Sequence, residues 1–364
     1  MKQKILDTEK LEEFRKKEKL QPFRIKQIYH EIFKQAQINF DDMTNLPKDL
    51  RENLNQNFEI LPFTVEKVID SETTTKFSFK THDDKIIETV IMYHHHDDNW
   101  KKRKLNRITI CVSSQVGCPI WCLFCVTGKL GFARNLDYTE IIGQVLFANN
   151  FIKNKLWKKD DKTLWQVRNV VFMGMWEPLL NYDNVVKSVN FLLDQNKFSL
   201  SKRHITISTC WIIPKIQQMI DDWITVKLAI SLHSPDQNLR EKLMPVCKNY
   251  KLDDLMKIID KYIKATDNRI FYEYIMIKWI TDKPELAHWL GKLLKWKLAH
   301  VNLISYNENP AIDFKESESS TISGFKKIVE SYGVTVTNRQ SMGRDKKWAC
   351  WQLGYENLLI DDEE

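Results

Sequence analysis

Cys118, Cys122 and Cys125 stand in the stretch GCPIWCLFCVTGKLG as C-x3-C-x2-C. Three thiolates closing on one short loop can each take one iron of a cubane, which leaves the fourth iron open to a cofactor or substrate. A structural zinc ion wants four closed ligands, commonly two C-x2-C pairs, and no second pair follows here. A zinc site completed by a histidine and a set of three merely buried thiols are the competing readings. The chain has seven cysteines; Cys111 falls just before the triplet, while Cys210, Cys247 and Cys350 are scattered. Its first residues, MKQKILDTEKLEEFRKKEKL, are charged and lack an apolar run. An odd cysteine count without an export signal argues for metal binding or catalysis over disulfides, and for a cytoplasmic protein.

The elements that must hold this loop follow from periodicity. RITICVSS, VRNVVFMGM, HITISTC, VKLAISLHS, FYEYIMIK, HVNLISY and GVTVTNRQ are short β-branched or aromatic runs. They alternate with amphipathic segments such as TEIIGQVLFANNFIKN and KLDDLMKIIDKYIK, a pattern of repeated βα units and hence a parallel sheet, open or rolled. In such folds reactive groups collect at the C-terminal ends of strands. SSQVGC, GMWEP, STCW, SLHS and SYNEN all follow strands. Upstream, FTVEKVID, TKFSFKT and IIETVIMY predict a small antiparallel sheet, and residues 1–60 place apolar side chains at helical spacing. HHHDDNWKKRKLNR, residues 94–107, reads as an exposed loop, with three histidines and a basic run from Lys101 to Arg107 able to meet phosphate.

Composition bounds the rest. The 364 residues leave room for one large domain or two unequal ones, 43% hydrophobic content is that of an ordinary globular protein, and a net charge of +7 favours a polyanionic partner without demanding one. No apolar run is long enough to span a bilayer. One departure is pronounced: only 10 glycines against 12 tryptophans, where average usage puts glycine near ~7%.

SSQVGCPIWCLFCVTGKLGFARNL, GMWEPLLNY, ITISTCW, LAISLHSP, VNLISYN and GRDKKWACWQL together resemble the dual-specificity RNA adenine-C2 methyltransferases of the RlmN type, within the radical S-adenosylmethionine (SAM) superfamily. The similarity runs from PFRIKQIYHEIF to Leu353. It implies a partial (β/α)6 TIM-like radical SAM barrel (residues 105–353) behind a helical RNA-contacting domain (1–62) and a β-rich linker segment (63–104), with an acidic tail (354–364).

The resemblance also implies roles. Cys118, Cys122 and Cys125 would hold one 4Fe–4S cluster. Two equivalents of SAM serve each turnover: one methylates Cys350, the other binds the cluster and is reductively cleaved to a 5′-deoxyadenosyl radical. That radical takes hydrogen from the methyl group, and the resulting methylene radical adds to adenine C2. Cys111 would release the adduct by forming a disulfide with Cys350, and Glu88 in ETV would accept the proton. Trp176 and Glu177 fall where the family holds the SAM amino group; Ser208, Ser231, Leu232, His233 and Asn307 are further SAM contacts, with Asn302 the competitor for Asn307. Taken alone, Cys111 and His233 read as core residues and Glu88 as solvent-facing. The implied partners are large-subunit rRNA, tRNA and a reductant such as a flavodoxin, with a monomer and no membrane.

The departures from the family are systematic. Trp121, Trp176, Trp211, Trp279 and Trp351 stand where the family has glycine, and Trp348 also replaces a small residue. Random drift would scatter over residue types. One type replacing one type points to UGA codons read as glycine in one code and as tryptophan in another. Trp157, Trp165, Trp223, Trp289 and Trp296 lie in settings where either residue fits. Three readings stay open: a C2 methyltransferase, a C8 methyltransferase of the Cfr type, and an impaired Fe–S or zinc protein that binds RNA.

Overall fold

The computed structural model describes residues 2–98, 102–156, 166–175, 177–210, 212–339, 342–343 and 349–354. Trp157, Trp165, Trp176, Trp211, Trp348, Lys101 and the acidic tail beyond Gly354 lie outside the described residues. The chain forms two compact units, each drawn from several segments: 1–113 with 136–170 and 183–205, and 114–135 with 171–182 and 206–364.

The first unit begins with the helices Thr8–Lys17, Pro22–Tyr29 and Lys48–Asn57. Asp7 caps the first of them, its carboxylate accepting from the Glu9 and Lys10 amides. Four strands follow in antiparallel order: Phe63–Asp70, Thr74–Thr81, Ile86–Asp98 and Lys102–Val112. The helix Tyr138–Leu156 lies over this sheet, and Phe147 and Phe151 meet Phe77 and Phe79 edge-on at 5.0 to 5.2 Å between centroids. Gly143 permits the close approach, since a Cβ there would lie 3.0 Å from Pro62.

One expectation is corrected here. Residues 94–98 and 102–107 do not form a loop; they belong to the strands Ile86–Asp98 and Lys102–Val112, while 99–101 lie outside the described residues. The register sets His94 opposite Arg107, His95 opposite Leu105, Asp97 opposite Arg103 and Asp98 opposite Lys102. Apolar periodicity is blind to a hairpin built from polar residues. The residues of both strand ends are mostly polar and leave no hydrophobic trace in the sequence.

The second unit carries the βα repeat. Ile205–Thr209, Lys227–Ser231, Ile270–Met276, Ala299–Ser305 and Thr335–Arg339 pair in parallel in chain order, and Asn169–Phe172 lies beside the first of them. Helices Ile213–Asp221, Leu252–Thr266, Pro284–Leu294 and Ser319–Glu330 connect the strands. The row is an open parallel α/β sheet that ends at Thr335–Arg339, so the strand content is that of a partial barrel without closure. Leu228, Ile230, Tyr272, Tyr274, Val301 and Leu303 form its buried core. Among the described residues no helix is long and apolar enough to cross a membrane.

Candidate cofactor and catalytic site

The three thiols sit on a loop clamped at its base. Gln115–Gly117 pairs antiparallel with Phe132–Asn135, and the Cys118 amide donates to Gly131 O at 2.7 Å. Glycine is required at 117: φ is +75°, and a Cβ would fall 2.0 Å from Gly131 O. The Cys125 amide donates to Cys122 O at 3.1 Å, and Leu123 N–H reaches Leu243 O at 2.9 Å. Cys118, Cys122 and Cys125 are all buried and line one tight cavity with Phe124, Gly128 and Trp351. Burial and mutual repulsion push the Cys118 thiol well up, and the Cys125 thiol to about 12, while the protein alone surrounds them. Among the described residues no three His, Cys, Asp or Glu side chains converge as a single-ion site. Thiols set around a shared void instead suit a cluster in which each thiolate holds its own iron.

The C-terminal loop is docked onto the cysteine loop. The Val126 amide, next to Cys125, donates to Trp351 O at 2.9 Å, and Thr127 Oγ1 donates to Leu353 O at 2.8 Å. Asn307 Nδ2 donates to Cys350 O at 3.3 Å, and Gln352 Nε2 to Glu308 O at 2.9 Å. Cys350 itself is partly exposed, unlike the other six cysteines. Its neighbour Trp351 is buried, meeting Phe124 and His233 edge-on at 5.6 and 5.9 Å.

Of the residues that the resemblance assigns to SAM, Glu177, Ser208, Ser231, Leu232, His233 and Asn307 are described, and they lie on or after strands of the parallel sheet. Glu177 is fully buried; Oε1 accepts from Leu179 N–H at 3.0 Å and from Thr209 Oγ1 at 2.8 Å, and Oε2 accepts from Cys210 N–H at 2.7 Å. Burial outweighs these donors and lifts its carboxyl to about 7. A carboxylate has about four lone-pair positions, so capacity remains on Oε2 for a further donor such as an amine. Ser208 lies on Ile205–Thr209, Ser231 closes Lys227–Ser231, and Leu232 is buried beyond it. Leu232 and His233 both donate their amides to Glu273 O.

His233 Nδ1 accepts from the Ile275 amide at 3.2 Å, which leaves the ring proton on Nε2. Burial, helped by the Arg240 charge, drives its pKa down to about 3, so the ring is neutral. His233 Nε2 and Asn307 Oδ1 are buried with no hydrogen-bond partner among the described residues. One is a donor and one an acceptor, and leaving either unpaired is costly. Together with Glu177 they fit a polar, zwitterionic ligand such as SAM. Asn302, the competitor for Asn307, is already engaged with Glu273 Oε1 at 2.9 Å.

Glu88 and Cys111 belong to the first unit. Glu88 is buried, not solvent-facing, and ion-paired with buried Lys76 at 2.8 Å. Val90, two residues on, pairs with Cys111 across the sheet, and Ser113 Oγ donates to Glu88 O at 2.6 Å. All seven cysteines are free thiols in this structure.

Sequence reasoning missed Lys76, Arg240 and the placement of two cysteines. Burial and a hydrogen bond with Cys122 push the Cys210 thiol up, so Cys210 stands against the cysteine loop. Arg240 is fully buried and donates from Nη2 to Cys247 Sγ at 3.1 Å. No motif marks these residues; a buried guanidinium is visible only once the helix Gln237–Leu243 is packed.

Three buried thiols on a clamped loop at the end of a parallel α/β sheet, with a cysteine-bearing loop docked beside them, define a radical SAM methyltransferase. Comparisons with known proteins agree. Residues 5–60 match the ribosomal RNA large subunit methyltransferase N-terminal domain, and residues 112–290 match the radical SAM superfamily. The chain is 39% identical over 333 residues to a probable dual-specificity RNA methyltransferase RlmN of Clostridium novyi, covering 91% of each chain. It is 40% identical over 331 residues to the protein of that name from Dictyoglomus turgidum, covering 91% and 90%. A radical SAM methyltransferase of Sphaerobacter thermophilus superposes with a TM-score of 0.85 at 34% identity, over 94% of this chain and 96% of that one. The chain belongs to the RlmN family of dual-specificity RNA methyltransferases, enzymes that use a 4Fe–4S cluster and SAM.

Proposed function

We propose that this enzyme methylates C2 of adenosine in the peptidyl-transferase region of large-subunit rRNA and in tRNA, at the adenosine 3′ to the anticodon. The observation that carries the reading is the docking of the 349–354 loop onto the cysteine loop, through Val126 N–H to Trp351 O and Thr127 Oγ1 to Leu353 O. It keeps the Cys350 loop beside the three thiols of Cys118, Cys122 and Cys125.

The cluster with SAM would supply one-electron chemistry able to activate a methyl C–H bond. The chain's own residues do the rest. Glu177, His233 and Asn307 orient SAM, with Ser208, Ser231 and Leu232 shaping the wall around it. Trp176 stands at the remaining family contact. Cys350 carries the methyl group toward the base. Glu88, paired with Lys76, takes the proton, and Cys111 captures the Cys350 sulfur as the product leaves. The helices of residues 1–62, with the basic strand segment up to Arg107, present cations to the RNA backbone. A flavodoxin-like protein donates the electrons, and the enzyme works as a cytoplasmic monomer, where its RNA substrates are.

The test is anaerobic reconstitution with iron and sulfide, incubation with SAM, reductant and an RNA fragment, and mass spectrometry of the nucleosides. Formation of 2-methyladenosine is expected. If 8-methyladenosine appears, the position assignment falls; if SAM is not cleaved at all, so does the whole reading.

A further inference from the structure

Six of the twelve tryptophans are described, and five of these have left-handed backbone: Trp121 (φ 59°), Trp223 (55°), Trp279 (64°), Trp296 (68°) and Trp351 (70°). Only six other non-glycine residues in the described chain share that region. Sterics make it the province of glycine, and a bulky side chain there is an outlier. The local structures are ones that glycine builds. Trp223 follows the helix Ile213–Asp221 at the C′ position, where its amide donates to Ile220 O at 3.2 Å and the Ile224 amide to Met219 O at 2.9 Å. That pair of bonds is a Schellman motif, whose C′ residue is usually glycine. Trp296 follows Lys295, the C-cap of Pro284–Leu294. Trp279 is the third residue of a turn closed by Ile280 N–H to Ile277 O at 3.1 Å. Trp223, Trp279 and Trp296 are also 72, 72 and 91% exposed, so burial gives no reason for an indole.

We infer that the functional protein carries glycine at 121, 223, 279, 296 and 351, each position being a UGA codon that the source organism decodes as glycine. Residues 223 and 296 matter most, because no catalytic motif touches them and backbone geometry alone singles them out. At 351 the consequence reaches the site. The indole lines the cavity of the three thiols and packs on Phe124 and His233, so glycine would open that volume for cluster and SAM. This last clause rests on the proposed function; the codon assignment does not. Sequencing the gene and the native protein's peptides tests it: TGA codons and glycine peptides at 223, 279 and 296 are expected. TGG at 223 and 296, or intact tryptophan peptides from the source organism, would overturn it. In the purified protein, W223G and W296G should each raise the thermal midpoint, and a lowered midpoint in both would contradict the backbone argument.

A second observation concerns the cluster itself. Arg240 is buried, hydrogen-bonded to Cys247, and close enough to Cys210 and Cys122 for its charge to act on both. The geometry points to Arg240 as a positioning residue that raises the reduction potential of the cluster held by Cys122, because a buried cation stabilises the added electron. EPR-monitored redox titration of reconstituted holoenzyme without SAM tests this. R240M should move the midpoint to more negative values at full iron and sulfide content, with R240K close to the parent. If R240M fails to hold the cluster, R240Q, which also removes the charge, should move the midpoint in the same direction. Unchanged potentials in every variant that loads the cluster would overturn the assignment.

Discussion

The buried candidate site groups of the two units are in opposite states. In the first, Glu88 is met by Lys76 at 2.8 Å, both about as buried as side chains become. In the second, His233 Nε2 and Asn307 Oδ1 are buried without a partner among the described residues, and Glu177 is uncharged up to about pH 7. A buried polar atom left unpaired is costly, and at the end of the sheet a bound ligand is the partner that would relieve it. The first arrangement is therefore complete on folding and its loss is felt as stability. The second is complete only when loaded, and its loss is felt as affinity.

That division can be broken by experiment. The largest effect is expected for C122A and C350A: methyladenosine formation should vanish in the mass-spectrometric assay, while far-UV circular dichroism stays that of the parent. Next, K76M removes the cation facing the buried Glu88 carboxylate, which should cost about 3–5 kcal/mol. A large fall in the denaturation midpoint is its signature, and no fall would place Lys76 outside the structural set. H233A and N307A should behave in the reverse way, weakening SAM binding by roughly tenfold each, on the order of 1.4 kcal/mol, with little change in melting. Equal losses of stability in both sets would erase the distinction between the units.

Glu177 gives a pH test. Its carboxyl is raised on folding, so the protonated form is favoured by the folded protein without ligand. The stability it contributes is full below the ordinary glutamate range and is lost as pH rises through about 7. An amine ligand needs the carboxylate, so SAM affinity should increase over the same interval with proton uptake by buffer, measured by calorimetry in buffers of different ionisation enthalpy. E177Q should flatten that dependence. The smallest effect belongs to the helix ends: W223G and W296G should each stabilise the fold by about 1 kcal/mol through relief of positive φ.

Legibility differed between the regions for physical reasons. The strands of the second unit were readable because a buried parallel strand is a short β-branched run, and Ile205–Thr209, Lys227–Ser231 and Thr335–Arg339 all fall inside the runs read from the sequence. The strand ends at 94–98 and 102–107 were not, since their residues are mostly polar. Glu88 was misjudged as solvent-facing because its buried counter-ion, Lys76, lies on the neighbouring strand, twelve positions earlier, with nothing in the local pattern to connect them. Trp223 and Trp296 looked unremarkable in sequence because positive φ is a property of the folded chain end, not of the residues beside it.

By itself the sequence determined the chemistry on offer: three thiols at C-x3-C-x2-C, a further cysteine near the end of the chain, strand-end motifs for a cofactor, and a glycine deficit matched by tryptophan. Residue type and spacing along a loop are local properties. Only the tertiary structure decided that the Cys350 loop docks on Val126 and Thr127, that His233 is neutral with its proton on Nε2, and that Arg240 lies buried against Cys247. Those facts depend on which side chains distant segments bring together and how much water they exclude, and neither is encoded at any one place in the chain.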